Sequence, residues 1–253
     1  MGILASGGSD IGRKRKLNED SYGVFDDLGL YVVADGMGGH AAGEVASAMA
    51  VDILHNFVKA TAGTDEITWP FERDPQLPHA ANRLLGGIRL ANQAILKRSQ
   101  EKLDQRGMGT TVVAALSDGE ALYIAHVGDS RAYVFTGGAI KRLTSDHSYV
   151  EEMVAVGHLT MEQARVHPLR NIVTRALGTR DDVKIDLTRQ TLVPGDVYLL
   201  CSDGLTGMLK DPEIEGIIEK HFDTPTICIE SLIQESNARG GDDNITAVVL
   251  KIF

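Results

Sequence analysis

Two short apolar runs, 21–25 and 30–34, are separated by Asp26-Asp27-Leu28-Gly29, which predicts a β-hairpin. Val45, Met49, Ile53 and Phe57 then recur at spacing four, which predicts a helix over 42–59. Residues 61–78 contain Trp69, Pro70, Pro75 and Pro78, break that pattern and read as a loop, with a long helix over 79–106 behind it. From 110 onward β-branched and aromatic runs (TTVVAAL, ALYIAHV, RAYVF, AIKRL) are joined by the turns Ser117-Asp118-Gly119-Glu120 and Thr136-Gly137-Gly138, and predict an antiparallel meander.

Helical texture returns in pieces over 148–177. Gly157 reads as a C-terminal stop, Thr160 with Gln163 as a capping box, Pro168 as a break and Gly178 as the end of a piece over 169–177. A strand over 184–192 and the strand VYLLC follow. Asp211-Pro212-Glu213 predicts a helix with Asp211 as cap and Pro212 at the first helical position, 226–238 predicts another, and ITAVVLKIF closes the chain as a strand. Hairpins dominate where a parallel sheet would need βαβ alternation, and no stretch resembles a linker, so one α+β domain over 1–253 is expected.

A net charge of −10 argues against a sequence-independent grip on a polyanion, and the basic run Arg13-Lys14-Arg15-Lys16 is too short to reverse it. Cys201 and Cys228 lack metal-ligand spacing and fit a reducing compartment. No apolar run approaches the ~20 residues of a membrane span, and the first residues lack signal-peptide regions. MGILAS fits an acylation pattern, but Ile3 and Leu4 serve equally as the start of a strand. A cytoplasmic protein without membrane span or nucleic-acid partner is the expectation.

The stretch LYVVADGMGGHAAGE (30–44) admits two readings, a glycine cradle for a phosphate or a strand end presenting a carboxylate to a metal. The dinucleotide fingerprint needs a βαβ unit and an acid about 20 residues on; that distance falls at 55–58, around the end of a helix. No Lys-Ser or Lys-Thr follows the glycines, as a P-loop requires. Asp35 would also repel a phosphate unless a cation lay between them.

The strand-then-aspartate pattern recurs at Asp35, Asp129 and Asp203, and Asn18-Glu19-Asp20 and Asp242-Asp243-Asn244 flank two further strands. Each alone could be a turn residue. If the strand ends converge, mutual repulsion demands cations, and hard oxygen donors point to Mg²⁺ or Mn²⁺ over Zn²⁺. Such a pair of ions would suit in-line phosphoryl hydrolysis, and Arg15 would supply a guanidinium fork for the phosphate.

RKLNED (15–20), VADGMGGHAAGE (33–44), GTT (109–111), VGDSRAY (127–133), LTSDHS (143–148), HPLRNIVTRALG (167–178), LLCSDGL (199–205) and GGDDNIT (240–246) resemble, in order, the motifs of the metal-dependent type 2C serine/threonine phosphatases, above all their compact bacterial members. The resemblance implies a four-layer α-β-β-α sandwich of two mostly antiparallel sheets flanked by helices, with a flap at about 145–180. It implies that Asp35 bridges two Mn²⁺ or Mg²⁺ ions and that Asp203 and Asp243 complete the first site. Glu19 and the Gly36 carbonyl would serve the second, mostly through water, with Asp20 nearby as a ligand or in contact with one. Asp129 with Asp203 would hold a third, weaker ion, and Arg15 would orient the substrate phosphate.

A water bridging the metals would attack phosphorus directly. The family's proton-donating histidine follows a DG pair, where this chain has Met37; His40 is open between loop structure and proton donation. His126 and His167 read as structural or flap residues. The implied partners are phosphorylated proteins and a cognate Ser/Thr kinase, with the chain acting as a monomer. A non-catalytic binding scaffold and a phosphohydrolase of small esters are the alternatives.

Overall fold

The computed structural model describes residues 1–38, 42–63 and 69–253. Strands β1 (Ile3–Asp10), β2 (Asp20–Phe25) and β3 (Leu30–Met37) lead into helices α1 (Ala42–Ala60) and α2 (His79–Glu101). The helix expected over 79–106 stops at Glu101, and Leu103–Gln105 forms a 3₁₀ turn ahead of Gly107 at φ 79°. Next come β4 (Gly109–Thr110), β5 (Val112–Ser117), β6 (Ala121–Val127), β7 (Arg131–Thr136) and β8 (Ala139–Arg142). Helices α3 (Tyr149–Ala155) and α4 (Met161–Val166), strands β9 (Asp186–Thr191) and β10 (Val197–Cys201), helices α5 (Asp203–Thr206), α6 (Asp211–His221) and α7 (Pro225–Ala238), and strand β11 (Ile245–Ile252) complete the chain.

The strands form two antiparallel sheets. One runs β1-β11-β10-β7-β8 and the other β2-β3-β5-β6-β9, with β4 paired to β3. Side chains alternate between faces along each strand, and in β3, β5, β6, β10 and β11 both faces are buried, so these strands read as continuous apolar runs rather than alternating ones. Leu30, Val32 and Ala34 face α1 and α2, whereas Tyr31 and Val33 face the opposite sheet. In β10, Leu199 and Cys201 face α6 and α7 while Tyr198 and Leu200 turn inward. The result is an α-β-β-α sandwich with three apolar layers.

The expected single meander is corrected here. β6 lies in one sheet and β7 in the other, so residues 128–130 cross between sheets. Gly128 makes the crossing at φ 111°, and a Cβ there would sit 2.6 Å from Thr111 Cβ. Local turn chemistry gives no sign of a change of sheet.

The capping box of Thr160 and Gln163 forms at the start of α4. The helical piece expected over 169–177 does not, because its backbone pairs elsewhere. Tyr149 N donates to Ile172 O (2.9 Å), Thr174 N to His147 O (2.8 Å) and Leu177 N to Thr110 O (2.8 Å). Helix α6 also begins one residue early, with Lys210 at the capping position and Asp211 already helical.

Candidate metal centre

β2 and β3 pair so that Asp20 lies opposite Asp35. The Asp35 backbone is pinned on both sides: Thr111 N and Thr110 Oγ1 each donate to its carbonyl at 2.8 Å, and its own N–H donates to Thr111 Oγ1 at 3.1 Å. At the next residue the chain touches α1. A Cβ on Gly36 would strike the carbonyls of Gly43 and Glu19, and one on Gly43 would strike the Glu19 carboxylate. Both glycines are thus packing requirements that bring Glu19, Gly36 and the first turn of α1 together.

Asn244 holds the other side. Its Oδ1 accepts from Glu19 N (2.9 Å), and its Nδ2 donates to the carbonyls of Ile11 (3.0 Å) and Leu17 (2.9 Å). One side chain fixes the loop that carries Arg15 and Glu19 to the loop that carries Asp243. Asn244→Ala should cost about 1–3 kcal/mol of stability, since the buried Asn244 amide gives up three hydrogen bonds to partly buried backbone groups. It should also weaken Mn²⁺ binding roughly tenfold or more; thermal unfolding and Mn²⁺ titration check the two effects.

Asp203 comes from the start of α5, directly after β10, where a strand end and turn were expected. Asp243 precedes β11 and accepts from Arg15 Nη2 at 2.5 Å. Asp129 sits on the 128–130 crossing. Arg15, Glu19, Asp35, Gly36, Asp129, Asp203 and Asp243 all line one cavity of about 330 Å³. Asp20 is buried behind it and accepts from Ser202 Oγ at 2.8 Å. His40 lies outside the described residues. His126 sits under residues 145–147 with Nε2 against Ser145 O (2.8 Å), and His167 lies at the end of α4; neither lines the cavity.

The electrostatics of this cavity call for cations. Burial, with Asp203 and Asp243 nearby, raises Asp20 to about 7 against the hydrogen bonds from Thr246 and Ser202. Burial and then Asp203 push Asp129 up to about 8. Burial, Asp20 and Asp203 hold Asp35 well above the carboxylate range, and burial with Asp243 raises Asp203. Arg15 is the one basic side chain lining the cavity among the described residues. Among the described residues that line the cavity the charged donors are hard oxygens, with no histidine or cysteine, which fits Mg²⁺ or Mn²⁺.

Residues the motifs contained without a stated role also build the site: Thr111, Asn244, and Asn171, Ile172 and Val173 from the segment after α4, all of which line the cavity. Their position depends on long-range pairing, although Thr111 in GTT and Asn244 in GGDDNIT stand inside two of the motifs.

The family model described as Protein phosphatase 2C matches residues 8–236. A serine/threonine phosphatase, stp, from Listeria monocytogenes is 40% identical over 250 residues, covering 96% of this chain and 93% of that protein. The crystal structure of the Mycobacterium tuberculosis serine/threonine phosphatase PstP/Ppp superposes with a TM-score of 0.87 at 34% identity, covering 100% of this chain and 99% of that one. A PstP catalytic domain solved with two manganese ions gives a TM-score of 0.84 at 33% identity, covering 98% and 97%.

Proposed function

The chain belongs to the protein phosphatase 2C family and is a metal-dependent serine/threonine phosphatase, and from that premise we propose how its residues divide the work. Asp35, Asp203 and Asp243 would hold one Mn²⁺ or Mg²⁺ ion; Asp35, Glu19 and the Gly36 carbonyl would hold a second; Asp129 and Asp203 would hold a third, weaker one. When bound, the ions supply an acidified water and neutralise charge on the phosphoryl group.

The remaining work falls to the chain itself. Arg15 binds the phosphate through its guanidinium fork. Thr110, Thr111 and Asn244 keep the carboxylates in register, and Ser202 steadies Asp20 behind them. His40 is the proposed proton source for the departing Ser or Thr oxygen, directly or through water, in a direct hydrolysis without a phosphoenzyme. The substrates are phosphoproteins, and the enzyme opposes a Ser/Thr kinase in the cytoplasm. The chain is proposed to act as a monomer. No helix among the described residues is long and apolar enough to cross a membrane. In this reading 1–253 is one phosphatase domain with a flap at 145–180, whose residues 171–173 line the cavity.

The observation that carries this reading is the convergence of five acids from separate segments on a single open cavity. A binding scaffold has no use for carboxylates that raise its folding cost. The test is phosphate release from phosphothreonine peptides and from p-nitrophenyl phosphate, with Mn²⁺ or with chelator. Peptide cleavage that requires Mn²⁺ is expected. Turnover confined to the small ester would favour the small-ester reading, and no metal-dependent turnover would defeat both.

A further inference from the structure

At the base of the flap, the buried His126 and His147 meet the partly exposed Arg175 and Asp186 in a group that the proposed chemistry does not use. His147 is 5% exposed and touches four segments at once. Its N–H donates to Gly128 O (2.9 Å), and its Nδ1 accepts from Gly128 N–H (3.1 Å). Its carbonyl accepts from Thr174 N (2.8 Å). Its ring stacks on His126, with centroids 4.6 Å apart, and Nε2 faces Asp186 Oδ2 at 3.3 Å. Gly128 is the residue before Asp129, Thr174 lies on the return of the flap, and Asp186 begins β9.

His126, His147 and Asp186 bring ligand-type atoms within 4.8 Å of one another. The hydrogen bonding identifies this group as a brace and argues against a metal site. Both ring nitrogens are engaged within the chain, Nδ1 by the Gly128 amide and Nε2 by Asp186 Oδ2 and Arg175 Nη1, so neither is turned toward an ion. Arg175, drawn to Asp186 Oδ1 at 3.4 Å, places its charge 3.0 Å from Nε2. Burial lowers the His147 pKa to about 4, which keeps the ring neutral.

We propose that His147 is a positioning residue: through the Gly128 amide it fixes the crossing that presents Asp129, and it ties both ends of the flap to that crossing. The consequence for metal binding rests on the assignment of Asp129 as a ligand. The hydrogen-bond arrangement does not.

Two variants test it. His147→Asn keeps an acceptor where Nδ1 stands, whereas His147→Gln moves the amide outward toward Asp186 and removes that acceptor. Amide hydrogen exchange without metal should show faster exchange over 127–131 and 172–177 in the Gln variant and near-native protection in the Asn variant. In calorimetric titration, Mn²⁺ binding at the weaker site should fall on the order of 10–100-fold for Gln and no more than about threefold for Asn, the range for an outer-shell partner. Peptide kcat at saturating Mn²⁺ should stay within about twofold of the native value, because the loss is in positioning and not in chemistry.

Native exchange over 127–131 in the Gln variant would overturn the proposal, as would equal defects in both folded variants. A kcat loss without a Mn²⁺ shift would also overturn it, by placing His147 in the chemistry. If the native enzyme showed no metal-dependent turnover, the functional reading would fail while the exchange result still decided the hydrogen bond.

Discussion

Asp35→Asn should leave a folded protein whose Mn²⁺-dependent turnover of phosphothreonine peptides is lower by roughly three orders of magnitude. Metal stabilisation of a phosphoryl transition state contributes several kcal/mol, and about 1.4 kcal/mol corresponds to each tenfold in rate. Asn keeps one oxygen and nearly the same shape but removes the charge at the residue proposed to serve both core ions. Its backbone bonds to Thr110 and Thr111 do not involve the carboxylate, so the strand end should stay in place. The same substitution should stabilise the metal-free protein near pH 8. Burial and the neighbouring Asp20 and Asp203 oppose ionisation of Asp35, and a neutral amide relieves that repulsion by an amount on the order of 1–3 kcal/mol. Peptide kinetics beside thermal melts in chelator would test both halves. Retention of more than a tenth of the activity, or loss of activity together with folding, would defeat the assignment.

That opposition between stability and function explains which parts of the chain were legible as sequence. Strands and helices announced themselves because β3, β10 and β11 are apolar on both faces and α1 carries a spacing of four, signals that tertiary structure reinforces. The acids were legible for the opposite reason. Asp35, Asp129 and Asp203 stand at the ends of strands where folding alone gives no benefit to a carboxylate. Such local inconsistencies mark functional sites.

What the sequence did not disclose depends on distant pairing. The crossing from one sheet to the other at 128–130 looks like another hairpin turn, yet it is what carries Asp129 to the cavity. Residues 169–177 have helical composition, but Thr110, His147 and Tyr149 capture their backbone and leave 171–173 lining the cavity. Asn244 illustrates a middle case. It follows a motif aspartate, but its reach to Ile11, Leu17 and Glu19 spans more than 220 positions of chain.

Without divalent metal, the folded protein should lose stability as pH rises from about 5 to about 8, and saturating Mn²⁺ should reverse the trend. The sign follows from proton counting. Asp20 and Asp129 titrate near pH 7 and 8 in the folded chain, against an ordinary aspartate value of 3.8. Between those limits the folded state binds more protons than the unfolded state, so unfolding free energy falls with pH. Their contribution is fully present below the unfolded value and lost as pH passes through 7 and 8. Because a tenfold change in a proton-binding constant corresponds to about 1.4 kcal/mol, the two groups together oppose folding by several kcal/mol near pH 8. Asp186, held low by His147 although partial desolvation opposes it, and the exposed Asp118, held low by the Ala121 and Glu120 amides, act the other way. Their stabilisation is lost as pH falls below about 4, so metal-free stability should peak in mild acid. Bound Mn²⁺ needs the carboxylates ionised, so binding must release protons and its affinity must rise with pH. Unfolding curves in chelator and in Mn²⁺ across this range measure the first effect. Calorimetry in two buffers of different ionisation enthalpy measures the proton release. A metal-free stability that is flat or rising toward pH 8, or Mn²⁺ binding with no proton release, would mean that these acids do not share one buried field.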